Sequence, residues 1–157
     1  MSGRWIVIML LGFTAVFGAA LWYFQTQAYY TEVAASEVEI RITRVGGGET
    51  HPLAADGLRA IDAETSPLKF RACFTTPASL AMLTETYEIY DAASPLTAPG
   101  WFECFDAAAI GRALETGEAI AFMGERDVAE GAHRIIAVFD DGRAYAWHQL
   151  TEEYAEQ

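Results

Sequence analysis

Signatures of catalysis are missing from this sequence. It has no H-E-x-x-H, no C-x-x-C and no G-x-S-x-G nucleophile elbow, and Gly46-Gly47-Gly48 lacks the Lys-Ser/Thr of a phosphate loop. The three histidines, His51, His133 and His148, include no pair at metal-ligand spacing. Asp140-Asp141 belongs to a turn signal, and acid–base work needs carboxylates that converge in a cleft. These absences leave no catalytic residue, metal set, cofactor motif or small-molecule substrate to name. A non-enzymatic protein is the expectation.

Positive charge is scarce too. The chain holds 22 acidic residues against 10 basic ones, a formal net charge of −12. So acidic a surface repels phosphate backbones, which argues against nucleic acid as a partner.

From Trp5 to Phe24 charge is absent altogether, and Thr14 is the one clearly polar residue. About 20 residues at 1.5 Å each make a helix about 30 Å long, the thickness of a bilayer's hydrocarbon core. Arg4 precedes the run, whereas Glu32, Glu37 and Glu39 follow it before the next cation, Arg41. Positive charge stays on the cytoplasmic side, so the N-terminus is expected inside and the rest of the chain outside. Leu21-Trp22-Tyr23-Phe24, then Tyr29 and Tyr30, suit an interfacial aromatic belt. The alternative is a cleaved signal peptide, with small residues at Gly18 and Ala20 or at Thr26 and Ala28. Gly12, Ala15 and Ala19 share one helical face that would let another helix approach.

The expected organisation is a cytoplasmic N-terminus (1–4), a transmembrane helix (5–24), a tether (25–36), a periplasmic α+β domain (37–150) and a flexible acidic tail (151–157). Cysteine is as scarce as catalysis. Cys73 and Cys104 are the whole supply, and both fall in the exported part. An even pair in an oxidising compartment reads first as a disulfide, with free thiols or metal ligands as alternatives. Closing a loop of about 32 residues stabilises a fold by ~3.7 kcal/mol in the chain-entropy model.

Within the domain, Val38, Ile40 and Ile42 alternate with Glu39 and Arg41, predicting a half-buried strand that ends at Gly46-Gly47-Gly48. Leu58–Ile61 is a short returning strand, and the alternation from Leu68 to Phe74 predicts a clearer one. Thr76-Pro77 reads as a helix start, with Leu80, Leu83 and Tyr87 at helical spacing. Asp106 caps a second helix with Ile110 and Leu114 on its buried face, stopped at Gly117. Ala119–Met123 is a buried strand, and Asp140-Asp141-Gly142 joins a hairpin of Ile135–Phe139 and Arg143–His148. The class is α+β: one N-terminal transmembrane helix, then a small antiparallel-sheet domain with two helices. His133 and His148 fall near the open end of that hairpin as prospective cross-strand neighbours.

Both cysteines lie among aromatics just before a helix start, in Phe70-Arg71-Ala72-Cys73-Phe74 and Trp101-Phe102-Glu103-Cys104-Phe105. A surface beside such a knot would present Arg71, Trp101 and Phe102 as interface candidates, Arg and Trp being hot-spot residue types.

Several stretches together resemble a family of uncharacterised membrane-anchored proteins of alphaproteobacteria, the Rhodobacter-like group in particular. They are Ala60-Ile61-Asp62-Ala63, Ser66-Pro67-Leu68-Lys69-Phe70-Arg71-Ala72-Cys73-Phe74, the run from Pro77 to Tyr87, Pro99-Gly100-Trp101-Phe102 with Cys104, and Trp147-His148-Gln149. The resemblance implies membrane location and bacterial origin and brings no catalytic residue, the family being a domain of unknown function. The expected function is an accessory or assembly factor of an inner-membrane complex. Its partners would be the bilayer and an integral-membrane protein. The alternative is a periplasmic soft-metal (copper) or thiol-redox accessory protein using Cys73, Cys104 and His148.

Overall fold

The computed structural model describes residues 3–46 and 48–156. Met1, Ser2, Gly47 and Gln157 lie outside the described residues, and with them part of the expected N-terminal segment, the centre of the triple-glycine turn and the end of the tail. The chain divides into two compact units, Met1–Tyr30 and Thr31–Gln157.

The first unit contains one helix, α1 (Gly3–Thr26), with no buried residue. It is long and apolar enough to cross a membrane. Its two threonine hydroxyls are satisfied inside the helix: Thr14 donates to the Leu10 carbonyl at 2.9 Å and Thr26 to the Trp22 carbonyl at 2.7 Å. Such internal pairing is what a lipid environment demands of polar groups.

The second unit is the expected α+β domain. Its strands are β1 (Thr31–Val33), β2 (Arg41–Thr43), β3 (Thr50–Pro52), β4 (Asp56–Asp62), β5 (Arg71–Thr75), β6 (Ala119–Ala129), β7 (Ala132–Phe139) and β8 (Arg143–Leu150). Its helices are α2 (Leu80–Thr86), α3 (Ala107–Thr116) and a single turn, α4 (Glu152–Ala155). Six strands form one antiparallel sheet in the order β1-β4-β5-β8-β7-β6, and β2 and β3 pair separately.

The period-two pattern assigns the two faces. Ala60, Ala72, Phe74, Ala144, Ala146, Ile136, Val138 and Phe122 make one face and pack on Ile40, Ile42, Leu53 and Leu83 of the β2–β3 layer and α2. Cys73, Tyr145, Trp147 and Met123 belong to the opposite face, which is covered as well, by α3 and the chain leading to it. Alanines dominate the β5–β8–β7 centre because the first layer packs directly onto the strands there.

Several predicted elements shift. Residues 31–33 of the expected tether form edge strand β1, where Glu32 pairs with Arg59 of β4 at 3.3 Å. The strand expected from Val38 begins at Arg41, and a short partner, β3, follows the turn. Pro67–Lys69 is a 3-10 turn, so β5 starts only at Arg71. The first helix begins at Leu80, capped by the Ser79 hydroxyl accepting from Met82 N–H, and not at Thr76-Pro77. Thr76 is engaged otherwise: its N–H donates to the Gly142 carbonyl at 2.8 Å and its hydroxyl accepts from Ala78 N–H. Helix α3 matches its prediction at both ends, with Asp106 accepting from Ala109 N–H and Gly117 left-handed at φ 77°. Ala113, rather than Leu114, joins Ile110 in its fully buried face.

Candidate functional site

Between Asp91 and Asp106 the chain has neither helix nor strand, yet it is held across a sheet face. Three ties to that face explain how. Gln149, at the end of β8, donates from Nε2 to the Ala92 carbonyl at 3.0 Å. Its Oε1 accepts from Ser94 N–H at 2.8 Å and from the Trp147 indole at 3.0 Å. Arg71, at the start of β5, donates to the carbonyls of Leu96 at 2.9 Å and Thr97 at 3.1 Å. Its Nη1 reaches the carbonyls of Leu68 and Phe70 at 2.7 and 2.6 Å. Cys73 of β5 is bonded to Cys104, with their Cα atoms 6.3 Å apart. That is within the reach of an unstrained bridge. Phe105 completes the attachment, edge-on to both Tyr145 and Trp147.

This strap relocates two of the three interface candidates. Arg71 is 3% exposed and Phe102 1%, so neither presents a surface. Alternation in β5 puts Arg71 opposite the apolar face, and the strap covers that second face and uses the guanidinium to saturate its own carbonyls. A delocalised cation with five donors suits that task. Trp101 is 37% exposed and sits edge-on to Phe102. It alone of the three remains at the surface.

The expected disulfide is therefore the third tie of the strap. Its two sulfurs have unequal surroundings: Cys73 is buried, while Cys104 is half-buried and lines a cleft of about 420 Å³ between α3 and the β7–β8 hairpin. Asp106, Arg112 and Thr116 contribute one wall of the cleft, and Phe139, Arg143 and Tyr145 the other. Arg143 lies over the Phe139 ring at 4.4 Å and pairs with Asp141 at 2.7 Å. That hydrogen bond holds the Asp141 carboxyl below its usual value and Arg143 above its own. A wider groove of about 700 Å³ runs along the opposite side of α3, lined in part by Ile89, Pro95, Gly111, Leu114 and Ile120.

On the other sheet face sits a buried polar cluster that sequence reading did not assemble. His148 lies opposite Arg134, not His133, which pairs with Gln149. The Arg134 Nε–H donates to His148 Nε2 at 3.1 Å, and His148 Nδ1 is 2.7 Å from the Pro67 carbonyl. A carbonyl only accepts, so Nδ1 carries the hydrogen and the ring is neutral. Phe70 stacks on the imidazole at 4.7 Å and on the Arg134 guanidinium at 4.5 Å. Arg134 also reaches Glu125 at 2.8 Å and the Glu39 carbonyl at 3.2 Å. Burial, reinforced by the Arg134 cation, brings His148 down from 6.5 to about 4. Burial likewise raises the carboxyl of Asp62, against the pull of the Ala63 N–H, Arg134 and Arg71.

These placements bear on a metal role. With both ring nitrogens of His148 engaged and both thiols in one bridge, the proposed soft-metal donors are already committed. Among the described residues no three His, Cys, Asp or Glu side chains gather as a metal-holding group. The signal for the missed residues was present in β8, where Tyr145, Trp147 and Gln149 alternate onto the strap face. Nothing in the sequence announces that a loop covers that face.

No curated protein and no solved structure matches this chain. One family model does, over residues 40–157, which takes in β2 to β8, the strap and the buried His148 cluster. By that match across most of its length, the chain belongs to a family of unknown function, DUF6446.

Proposed function

We propose that this protein is a non-enzymatic, single-pass inner-membrane protein. Its periplasmic domain would serve as the interaction module of a membrane complex, in an accessory or assembly role. The observation that carries the reading is the pairing of a spanning-length helix without buried residues with a disulfide in the domain behind it. Disulfides persist in oxidising compartments, and the charge bias around the helix, Arg4 before and Glu32, Glu37 and Glu39 after, has the same direction. The strap gives the domain a fixed outer surface bearing Trp101, of a residue type enriched at interface hot spots.

The test is purification of the full chain from its own membranes in mild detergent, with cross-linking before lysis. The reading expects a stoichiometric integral-membrane partner, with cross-links to the strap around Trp101. A monodisperse monomer without cross-links would refute it. The thiol-redox reading is favoured by one observation, the opening of the cleft onto Cys104.

A further inference from the structure

We propose that Cys73–Cys104 is an exchangeable disulfide, opened by a dithiol reductant that enters the α3–hairpin cleft and attacks the Cys104 sulfur, which unfastens the strap. Access sets the direction of attack. Cys104 lines the cleft, whereas Cys73 is buried in β5, in the middle of the sheet. An incoming thiolate therefore meets Cys104 first, and Cys73 is the leaving group.

The surroundings of Cys73 suit departure. Arg59 is its register partner on β4, and Arg71 lies two residues earlier on the same face of β5. The two guanidinium groups sit over the rings of Phe102 and Phe105, 5.5 and 5.8 Å from the centroids, on either side of Cys104 in the strap. Arg71 is committed to four carbonyls, so Arg59, the register partner of Cys73 and the partner of Glu32 at 3.3 Å, is the cation assigned to the departing sulfur, and a cation near a sulfur stabilises its thiolate and speeds its release.

Two successive exchanges complete the reduction. The reductant's thiolate bonds to Cys104 Sγ while the Cys73–Cys104 bond breaks, and the electron pair stays on Cys73 as thiolate. The reductant's second thiol loses its proton to solvent and displaces Cys104 from the mixed disulfide. The reductant leaves as its own disulfide, and both cysteines take up protons from water, two electrons and two protons having passed to the protein. The strap then keeps its Gln149 and Arg71 ties, while the stretch after Thr97 loses its covalent one. Trp101 and Phe102 lie in that stretch.

The full-length chain in detergent tests this with glutathione, a monothiol that arrests the exchange at its first step. Peptide mass mapping is expected to find glutathione on Cys104, with Cys73 free. Glutathione on Cys73 overturns the proposal. Dithiothreitol is expected to reduce the bond at a rate that sub-denaturing urea leaves unchanged. A rate that rises with urea in step with global unfolding means that reduction needs an unfolded chain, and also overturns it. Arg59→Gln is expected to slow the reaction at least twofold, because a leaving thiol of higher pKa departs more slowly. Arg59→Lys should restore the rate, and Arg44→Gln, on the opposite layer, should not change it. An Arg59→Gln variant that folds and reacts at the wild-type rate overturns the role given to Arg59. None of these readouts depends on a membrane partner, so they stand or fall apart from the interaction reading.

Discussion

Lowering the pH from 7 to 4 should weaken the domain through one side chain, His148. In the folded protein its Nε2 accepts from Arg134 and its Nδ1–H donates to Pro67, so a second proton would set two donors and two cations against each other. Burial first, and then the Arg134 cation, bring the folded imidazole to about 4 against the Pro67 hydrogen bond, whereas the unfolded one titrates near 6.5. A histidine whose folded value is depressed contributes stability in full above the unfolded value. That contribution is lost as pH falls from 6.5 towards 4, where the unfolded chain takes the proton and the folded one does not. At 1.36 kcal/mol per unit, the full loss is on the order of 3 kcal/mol. Asp62 works in the opposite sense: its raised value makes the folded state the better proton acceptor, so protonating it relieves a cost as pH falls. The clean quantity is therefore the difference between wild type and His148→Gln. Denaturant unfolding followed by near-ultraviolet circular dichroism, at steps between pH 7 and 4.5, should show a wild-type slope approaching 1.4 kcal/mol per pH unit beyond that of the variant. Parallel curves for the two proteins would refute the reasoning, as would a resonance titration placing His148 near 6.5.

Replacing Cys73 and Cys104 together with Ser should lower stability by ~3.7 kcal/mol while leaving membrane insertion intact, since α1 precedes both residues. A loss below about 1 kcal/mol in denaturant unfolding would show that the bridge does not restrain the unfolded chain as that model requires. Gly131→Ala should release the last turn, because a Cβ there would come within 2.7 Å of the Tyr154 ring at a φ of +69°. Hydrogen exchange should accelerate at the Tyr154 and Ala155 amides, both held by the Thr151 carbonyl, and stability should fall by about 1–2 kcal/mol; unchanged protection would contradict the contact.

Local signals were legible wherever the chain answers to itself. The Asp106 cap, the left-handed Gly117 and the Asp140-Asp141-Gly142 turn each depend on a few neighbouring residues, and each is where the sequence places it. Thr76-Pro77 misled because the hydroxyl and the N–H that would start a helix are claimed by Ala78 and by Gly142 from the hairpin turn, far later in the chain. Strand β6 runs on to Ala129 through charged Glu125, Arg126 and Asp127, an extension that irregularities in the pairing with β7 accommodate and that no alternation announces. Arg71 misled for a tertiary reason: its strand has a polar face by pattern, and only the folded strap shows that face to be interior. The cysteine pair was readable because two cysteines allow a single intrachain pairing. The Arg134–His148 cluster was not, because it depends on a cross-strand register that the hairpin turn fixes.

The central claim, a spanning helix with the domain on its outer side, has a direct test in the location of the C-terminus. Alkaline phosphatase, which becomes active only where its disulfides form, and a green fluorescent reporter, which fluoresces when fused on the cytoplasmic side, can each be joined there in the full chain. The account predicts an active phosphatase fusion, retained in the membrane fraction after alkaline carbonate washing, and a dark fluorescent one. A fluorescent fusion with an inactive phosphatase would put the domain, and with it the disulfide, in the cytoplasm and contradict the account.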